Sequence, residues 1–223
     1  MVLLTTASHL LSGVCIWSLL STFLYYFPPL KTKLPLSHSS RLYLGGACCS
    51  FLHCSATLIA TTLYLVGPQY PIAHQIAIFS CSYYLYDTAH QLYHEPQTIY
   101  LLHHATCIIG WFLILSYQQG YTLACEWLWV AELSNLPRIP WELSSHLNWP
   151  VLRQRLEEPN RLLYFFCRCI LLPLHFFYRG HNLLTLSMPA VFLRIWWLLA
   201  GLFIAVGIYW RPRLSSPKSN SIP

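Results

Sequence analysis

The chain has 223 residues, of which 56% are hydrophobic and only 9% charged. A soluble domain carries roughly 25% charged residues, so the composition excludes a soluble globular protein and leaves no room for a separate soluble domain. The formal net charge of +6, from 13 Lys and Arg against 7 Asp and Glu, occurs with no basic run in a soluble context, which argues against a nucleic-acid partner.

Apolar runs of bilayer-crossing length recur along the chain. Span 1 is expected at about His9 to Phe27, closed by Pro28 and Pro29. It lacks a basic leader and a small-residue cleavage site, so it reads as a retained span. Span 2 is expected at about Leu42 to Val66, closed by Gly67 and Pro68, and span 3 at about Ile72 to Tyr93. Span 4, Thr98 to Tyr117, holds two adjacent histidines, His103 and His104, and no charged residue. Span 5, about Gly120 to Leu136, is expected to stop at Pro137 and Pro140. Span 6 is expected at about Arg161 to Tyr178, and span 7 at about Met188 to Trp210.

These seven crossings predict an all-α membrane protein. With the amino terminus outside or lumenal, Lys31, Lys33, Arg41, Arg138, Arg153, Arg155, Arg161, Arg211, Arg213 and Lys218 lie on the cytosolic side and only Arg179 lies opposite. Ten basic residues against one follow the positive-inside rule. The connections 67–71, 94–97 and 118–119 are short, which predicts that sequential spans are antiparallel neighbours. Arg138 to Glu158 reads as the one sizeable loop, and Ser215 to Pro223 as a polar disordered tail. Nine cysteines fall in apolar segments; such residues act as small apolar groups and form no disulfide framework.

Ionisable residues inside a membrane are costly and usually face a bundle interior or a cavity. Asp87 sits six residues before the inner end of span 3, His103 five past the inner end of span 4, Glu132 five before Pro137, and Arg168 seven past Arg161. At 1.5 Å per residue all four lie roughly 8–10 Å below the cytosolic boundary. The expectation is one polar layer lining one cavity open to the cytosol. Asp87, His90 and His94 share a helical stripe, so Asp87 could orient an imidazole there. Arg168 and His175 share a face of span 6; Glu126 lies deeper with no partner in view. For His53, His74 and His175 helix–helix hydrogen bonding is the simpler reading.

The pattern His103-His104-Ala-Thr106, then Ser116-Tyr117, Gly120, and Glu132-Leu-Ser134-Asn135 before a proline-containing turn resembles the TLC domain, the membrane domain shared by ceramide synthases and their relatives, most closely the small TLC-domain-containing proteins. Tyr83-Tyr84-Leu-Tyr86-Asp87 resembles that family's tyrosine-rich, Asp-bearing helix. The resemblance covers about residues 38–210, with 1–37 as an amino-terminal helix and loop and 211–223 as a cytosolic tail. It implies six helices in a barrel-like bundle around a lipid-accommodating cavity. In ceramide synthases a histidine pair and two aspartates carry N-acylation of a sphingoid base from acyl-CoA. His103 and His104 match the pair; Glu132 and Asn135 stand near the aspartates, and an amide cannot take up a proton.

The resemblance implies a lipid-homeostasis protein of the endoplasmic reticulum in preference to the plasma membrane, with a membrane lipid or fatty acyl chain as partner, although the tail shows no retrieval signal. The alternative is an acyltransferase with acyl-CoA as co-substrate and no resident cofactor. Candidate catalytic residues are His103, His104, Asp87 and Glu132, a histidine acting as base or acyl carrier. Candidate lipid contacts are Tyr83, Tyr86, His90, Asn135 and Arg168, the last toward a phosphate. His90-x-x-x-His94 with His103-His104 falls short of a hydroxylase histidine box, so no metal is expected.

Overall fold

The computed structural model describes residues 2–26, 37–94, 98–179 and 189–215. Lys31, Lys33, Pro28, Pro29, Met188 and residues 216–223 of the tail lie outside the described residues.

Among the described residues the chain is all-helical, as a bilayer requires, since only a helix satisfies every backbone polar group within one segment. The helices are α1 (Val2–Tyr26), α2 (His38–Val66), α3 (Tyr70–His94), α4 (Thr98–Tyr117), α5 (Tyr121–Leu133), α6 (Asn135–His146), α7 (Pro150–Tyr164), a π-helical segment (Phe165–Leu171), α8 (Leu172–Arg179) and α9 (Ala190–Ser215). Among the described residues four stretches are long and apolar enough to cross a membrane: Thr5–Tyr26, His38–Val66, Thr98–Tyr117 and Pro150–Arg179. Their lipid-facing character shows in exposed apolar side chains such as Leu11, Ile16, Leu19 and Phe23 on α1 and Leu174 and Phe177 on α8.

Local chemistry sets the boundaries. Ser37 caps α2, its side chain accepting from the Ser40 N–H at 3.2 Å. Gly67 and Pro68 end it. Between α4 and α5 the chain turns through Gln118 (φ 53°) and Gly120 (φ 76°). That left-handed backbone is where glycine costs least.

Pro137 and Pro140 were expected to end the span and open a loop. Instead α5 stops at Leu133 and α6 starts at Asn135. Pro137 falls in the first turn of α6, where its missing N–H has no partner to lose. The expected loop from Arg138 to Glu158 is therefore mostly helix: α6 and α7 pack on each other, with Pro150 at the first turn of α7. The π segment precedes Pro173, whose ring would clash with the carbonyl four residues back. The turn widens, and the Leu172 N–H reaches the Cys167 carbonyl, five residues back. α9 continues past Arg211 and Arg213 to Ser215, so the helix takes in the start of the expected tail.

The organising helix is α3, which packs against α1, α2, α4 and α5. It buries Ser80, Ser82, Tyr83, Tyr84, Tyr86 and Asp87, the polar content that keeps it out of the most apolar group. α1 is part of this core: Trp17 is buried among His53, Phe79, Tyr83 and Tyr86. A Cβ placed on Gly13 would lie 2.5 Å from Ser82 Oγ, so α1 and α3 approach as closely as glycine allows.

Sequential neighbours hold for α1–α2, α2–α3 and α3–α4. The three-residue link from α4 to α5 breaks the pattern. α4 packs on α3 and α9, whereas α5 packs mainly on α2, α3 and the π segment. The space between α4 and α5 is where the cavity lies.

Candidate functional site

At one end of the bundle, α2, α3, α4, α5, α6 and the π segment bring polar side chains together. Glu132 on α5 is the hub and is 3% exposed. Its Oε1 accepts from the Tyr84 hydroxyl at 3.3 Å, and its Oε2 accepts from Asn135 Nδ2 at 2.9 Å. His53 Nδ1 lies 3.7 Å from Oε1, and its Nε2 lies 3.3 Å from Ser80 Oγ. The Cys54 thiol donates to the Glu132 backbone carbonyl.

Asp87 pairs across helices, with Oδ2 3.3 Å from His104 Nε2. It was expected to orient an imidazole on its own stripe; His90 and His94 instead lie against each other, ring centroids 4.5 Å apart. Helix spacing fixes a face, but the rotation of α3 against α4 decides which histidine the carboxylate meets. His103 lies beside His104, with centroids 5.6 Å apart, and its Nε2 is 3.9 Å from the Cys107 sulfur.

Arg168 serves the helix end. Its Nε donates to Ser134 Oγ at 2.9 Å and its Nη2 to the Ala131 carbonyl at 3.1 Å. That carbonyl belongs to the last turn of α5, where helix geometry leaves acceptors without partners and favours a cation. Arg138, expected as a loop charge, is half-buried on α6 and pairs with Glu142 at 3.4 Å. Burial opposes its charge, and Glu142 and Tyr100 more than offset that, so its pKa is raised.

A cavity of about 100 Å³ lies between α4, α5 and α9, walled by Thr106, Cys107, Gly110, Trp111, Ile114, Ala124, Trp127, Leu128, Ala131, Leu199 and Ala200, with Tyr84 from α3. Asp87, His103, His104, Glu132 and Arg168 do not contribute to its wall. The expectation that the layer lines the cavity is therefore corrected. Ionisable groups in hydrocarbon cost about 2.5–3.5 kcal/mol each at mid-bilayer, and here Asp87 has His104, Glu132 has Tyr84 and Asn135, and Arg168 has Ser134 and the Ala131 carbonyl. Polar layer and cavity meet at three residues, one of them Ala131, a wall residue whose carbonyl accepts from Arg168. Tyr84 forms part of the wall while its hydroxyl donates to Glu132. Cys107 forms part of the wall while its sulfur neighbours His103.

The expected lipid contacts are placed elsewhere than the cavity wall. The Tyr83 hydroxyl is 2.7 Å from Ser50 Oγ, and its ring stacks on His53 at 4.0 Å. Tyr86 packs on Trp17 and His90, and His90 sits over Gly46. Asn135 is held by Glu132. Sequence reasoning missed Tyr84 and His53 as members of the layer. Tyr84 had a signal, since it is one turn before Asp87 and shares its side of the helix. His53 had none beyond its residue type.

The imidazoles read as bridges do bridge helices. His53 joins α2 to α3 and α5, and His74 meets the Tyr121 hydroxyl at 3.1 Å. His175 lies seven residues past Arg168, roughly 10 Å further along, and is the partner that Glu126 lacked on sequence grounds. His175 Nε2 is 2.8 Å from Glu126 Oε2, Arg179 Nη2 is 3.2 Å from Oε1, and Trp127 Nε1 donates to His175 Nδ1 at 2.7 Å. Arg194 is exposed. Among the described residues no group of three or more His, Cys, Asp or Glu could hold a metal ion.

Comparison with protein-family models, with curated proteins and with solved structures returns no match to this chain.

Proposed function

We propose that the protein is a seven-crossing membrane protein of TLC type, acting in lipid homeostasis, that holds the acyl chain of a membrane amphiphile between α4, α5 and α9. The observation that carries this reading is Tyr84, one side chain that is both apolar wall and donor to a buried carboxylate. An amphiphile needs that juxtaposition of hydrocarbon contact and polar anchor.

A chain leaving the bilayer for this cavity gains little hydrophobic free energy, because lipid tails are already apolar. Retention therefore comes from packing and from the polar end. The cavity of about 100 Å³ is smaller than the roughly 150 Å³ space that accepts benzene, so it takes a short stretch of chain.

Gly110 supplies the test. A Cβ there meets nothing within 4 Å, so Gly110→Leu fills the space without a backbone clash, and it raises helix propensity by about 0.5–1 kcal/mol. Native mass spectrometry of the purified chain is expected to show a co-purifying lipid in wild type and its loss in Gly110→Leu, with thermal stability kept. A wild type without lipid, or a variant that retains it, removes the proposal.

A second reading, an acyl-CoA-dependent acyltransferase, is favoured by the Asp87–His104 pair. With His104 Nε2 toward Asp87, its buried Nδ1 has no hydrogen-bond partner among the described residues. A carboxylate-oriented imidazole with a vacant nitrogen suits a general base. Untargeted lipidomics of a knockout, rescued by wild type or by His103→Ala with His104→Ala, separates the readings. If the double variant restores the wild-type lipid profile, catalysis by this pair is excluded.

A further inference from the structure

A second polar cluster is joined to the cavity wall as Tyr84 joins the first. Trp127 lines the cavity while its indole N–H donates to His175 Nδ1 at 2.7 Å. An indole N–H can only donate, so Nδ1 must accept. That places the ring hydrogen on Nε2, which points at Glu126 Oε2, 2.8 Å away. The arrangement holds only for the neutral imidazole. A proton added at Nδ1 would set two donors head to head, and the indole would have to turn away.

We propose that the cavity has a second entrance at Trp127, for an anionic single-chain amphiphile, and that the Glu126–His175 pair unlatches it when the imidazole is protonated. The proposal rests on the reading of the cavity as a lipid site. From α5, Glu126 faces His175 directly, Cys125 is a buried thiol, and Glu132 and Tyr121 are turned to other partners. From the π segment, Arg168 is turned to Ser134, and Cys167 is a buried thiol. From α9, Arg194 is exposed, and Arg211 and Arg213 lie near the other end of that helix. On the same helix as His175, Arg179 shares Glu126.

Glu126, Arg179 and a neutral His175 sum to zero charge. Protonation leaves one positive charge, and the side chains are only partly buried, at 20%, 37% and 22% exposure. An anionic head group is drawn to that state. The unlatched indole uncovers the chain's path into the cavity beside Trp127.

The test uses the full chain in lipid nanodiscs and radiolabelled oleate as probe. In wild type, exchange of bound oleate is expected to be faster at about pH 5 than at about pH 7.5, the range over which histidine changes charge. The expected ratio is about twofold to tenfold, the range spanned by one neutral hydrogen bond. His175→Gln keeps a donor and an acceptor and cannot charge, so exchange stays slow at both pH values. Trp127→Phe lacks the donor, so exchange is fast at both. Acid acceleration that persists in His175→Gln, or that is missing from oleate-bound wild type, overturns the proposal. A lipid-free measurement separates it from the cavity reading. The indole proton resonance of Trp127, assigned by its loss in Trp127→Phe, is expected to shift on acidification in wild type and not in His175→Gln. A shift without any oleate binding refutes the cavity reading and leaves the latch standing; an unmoved resonance refutes the latch.

Discussion

Replacing Glu132 tests whether the buried layer is a cooperating network. Glu132→Ala removes the acceptor of the Tyr84 hydroxyl and of the Asn135 amide, and the carboxylate beside His53. The three losses are unequal. Asn135 is half-buried and can turn toward water, and His53 keeps Ser80, so each forfeits only the net worth of a membrane hydrogen bond, about 0.6 kcal/mol. The Tyr84 hydroxyl is stranded in a buried residue, and leaving such a donor without a partner costs about 1–3 kcal/mol. The sum is about 2–4 kcal/mol. Glu132→Gln keeps one carbonyl oxygen for Tyr84, and Asn135 can present its own oxygen to the new amide, so about 1 kcal/mol is expected. Unfolding by SDS titration in mixed micelles, followed by tryptophan fluorescence, measures both. Adding Tyr84→Phe to Glu132→Ala removes the stranded donor and should recover about 1–2 kcal/mol of the loss. If Glu132→Ala costs under about 0.5 kcal/mol, or if Gln and Ala cost the same, the hub described for Glu132 is wrong.

Two further outcomes follow from close contacts. Gly13→Ala puts a methyl group 2.6 Å from Ser82 Cβ and is expected to cost about 1–3 kcal/mol by overpacking, measured by the same titration; in a Ser82→Gly background the penalty should largely vanish, and an unchanged penalty would place the conflict elsewhere. Arg168→Lys keeps the charge but cannot reproduce the paired donation to Ser134 Oγ and the Ala131 carbonyl. A loss of about 1–2 kcal/mol is expected, and exchange of the amides in the last turn of α5, read by hydrogen–deuterium mass spectrometry, should rise.

Much of the secondary structure was legible, because a bilayer leaves the chain few choices. An apolar run of sufficient length must be helical to satisfy its own backbone, and glycine and proline mark its ends. Thr98 to Tyr117 is the clear case: the helix occupies the same residues as the apolar run. Pro137 misled because proline ends one helix and opens the next with equal ease. Arg138 was read as a loop charge for the same reason, since a segment assigned to solvent gives no cause to look for buried partners.

By itself, then, the sequence determined that this is a helical membrane protein, where its principal helices run, and which ionisable residues share a level near one end. Helical rise converts residue number into depth, so depth can be counted. Only the tertiary structure decided which of those groups meet. Asp87 takes His104 and not His90, Glu132 takes Tyr84, and Glu126 takes His175. Pairing depends on the rotation and separation of helices distant in sequence, which no local pattern encodes. The cavity is of the same kind: it exists because α4 and α5, adjacent in the chain, lean on different neighbours.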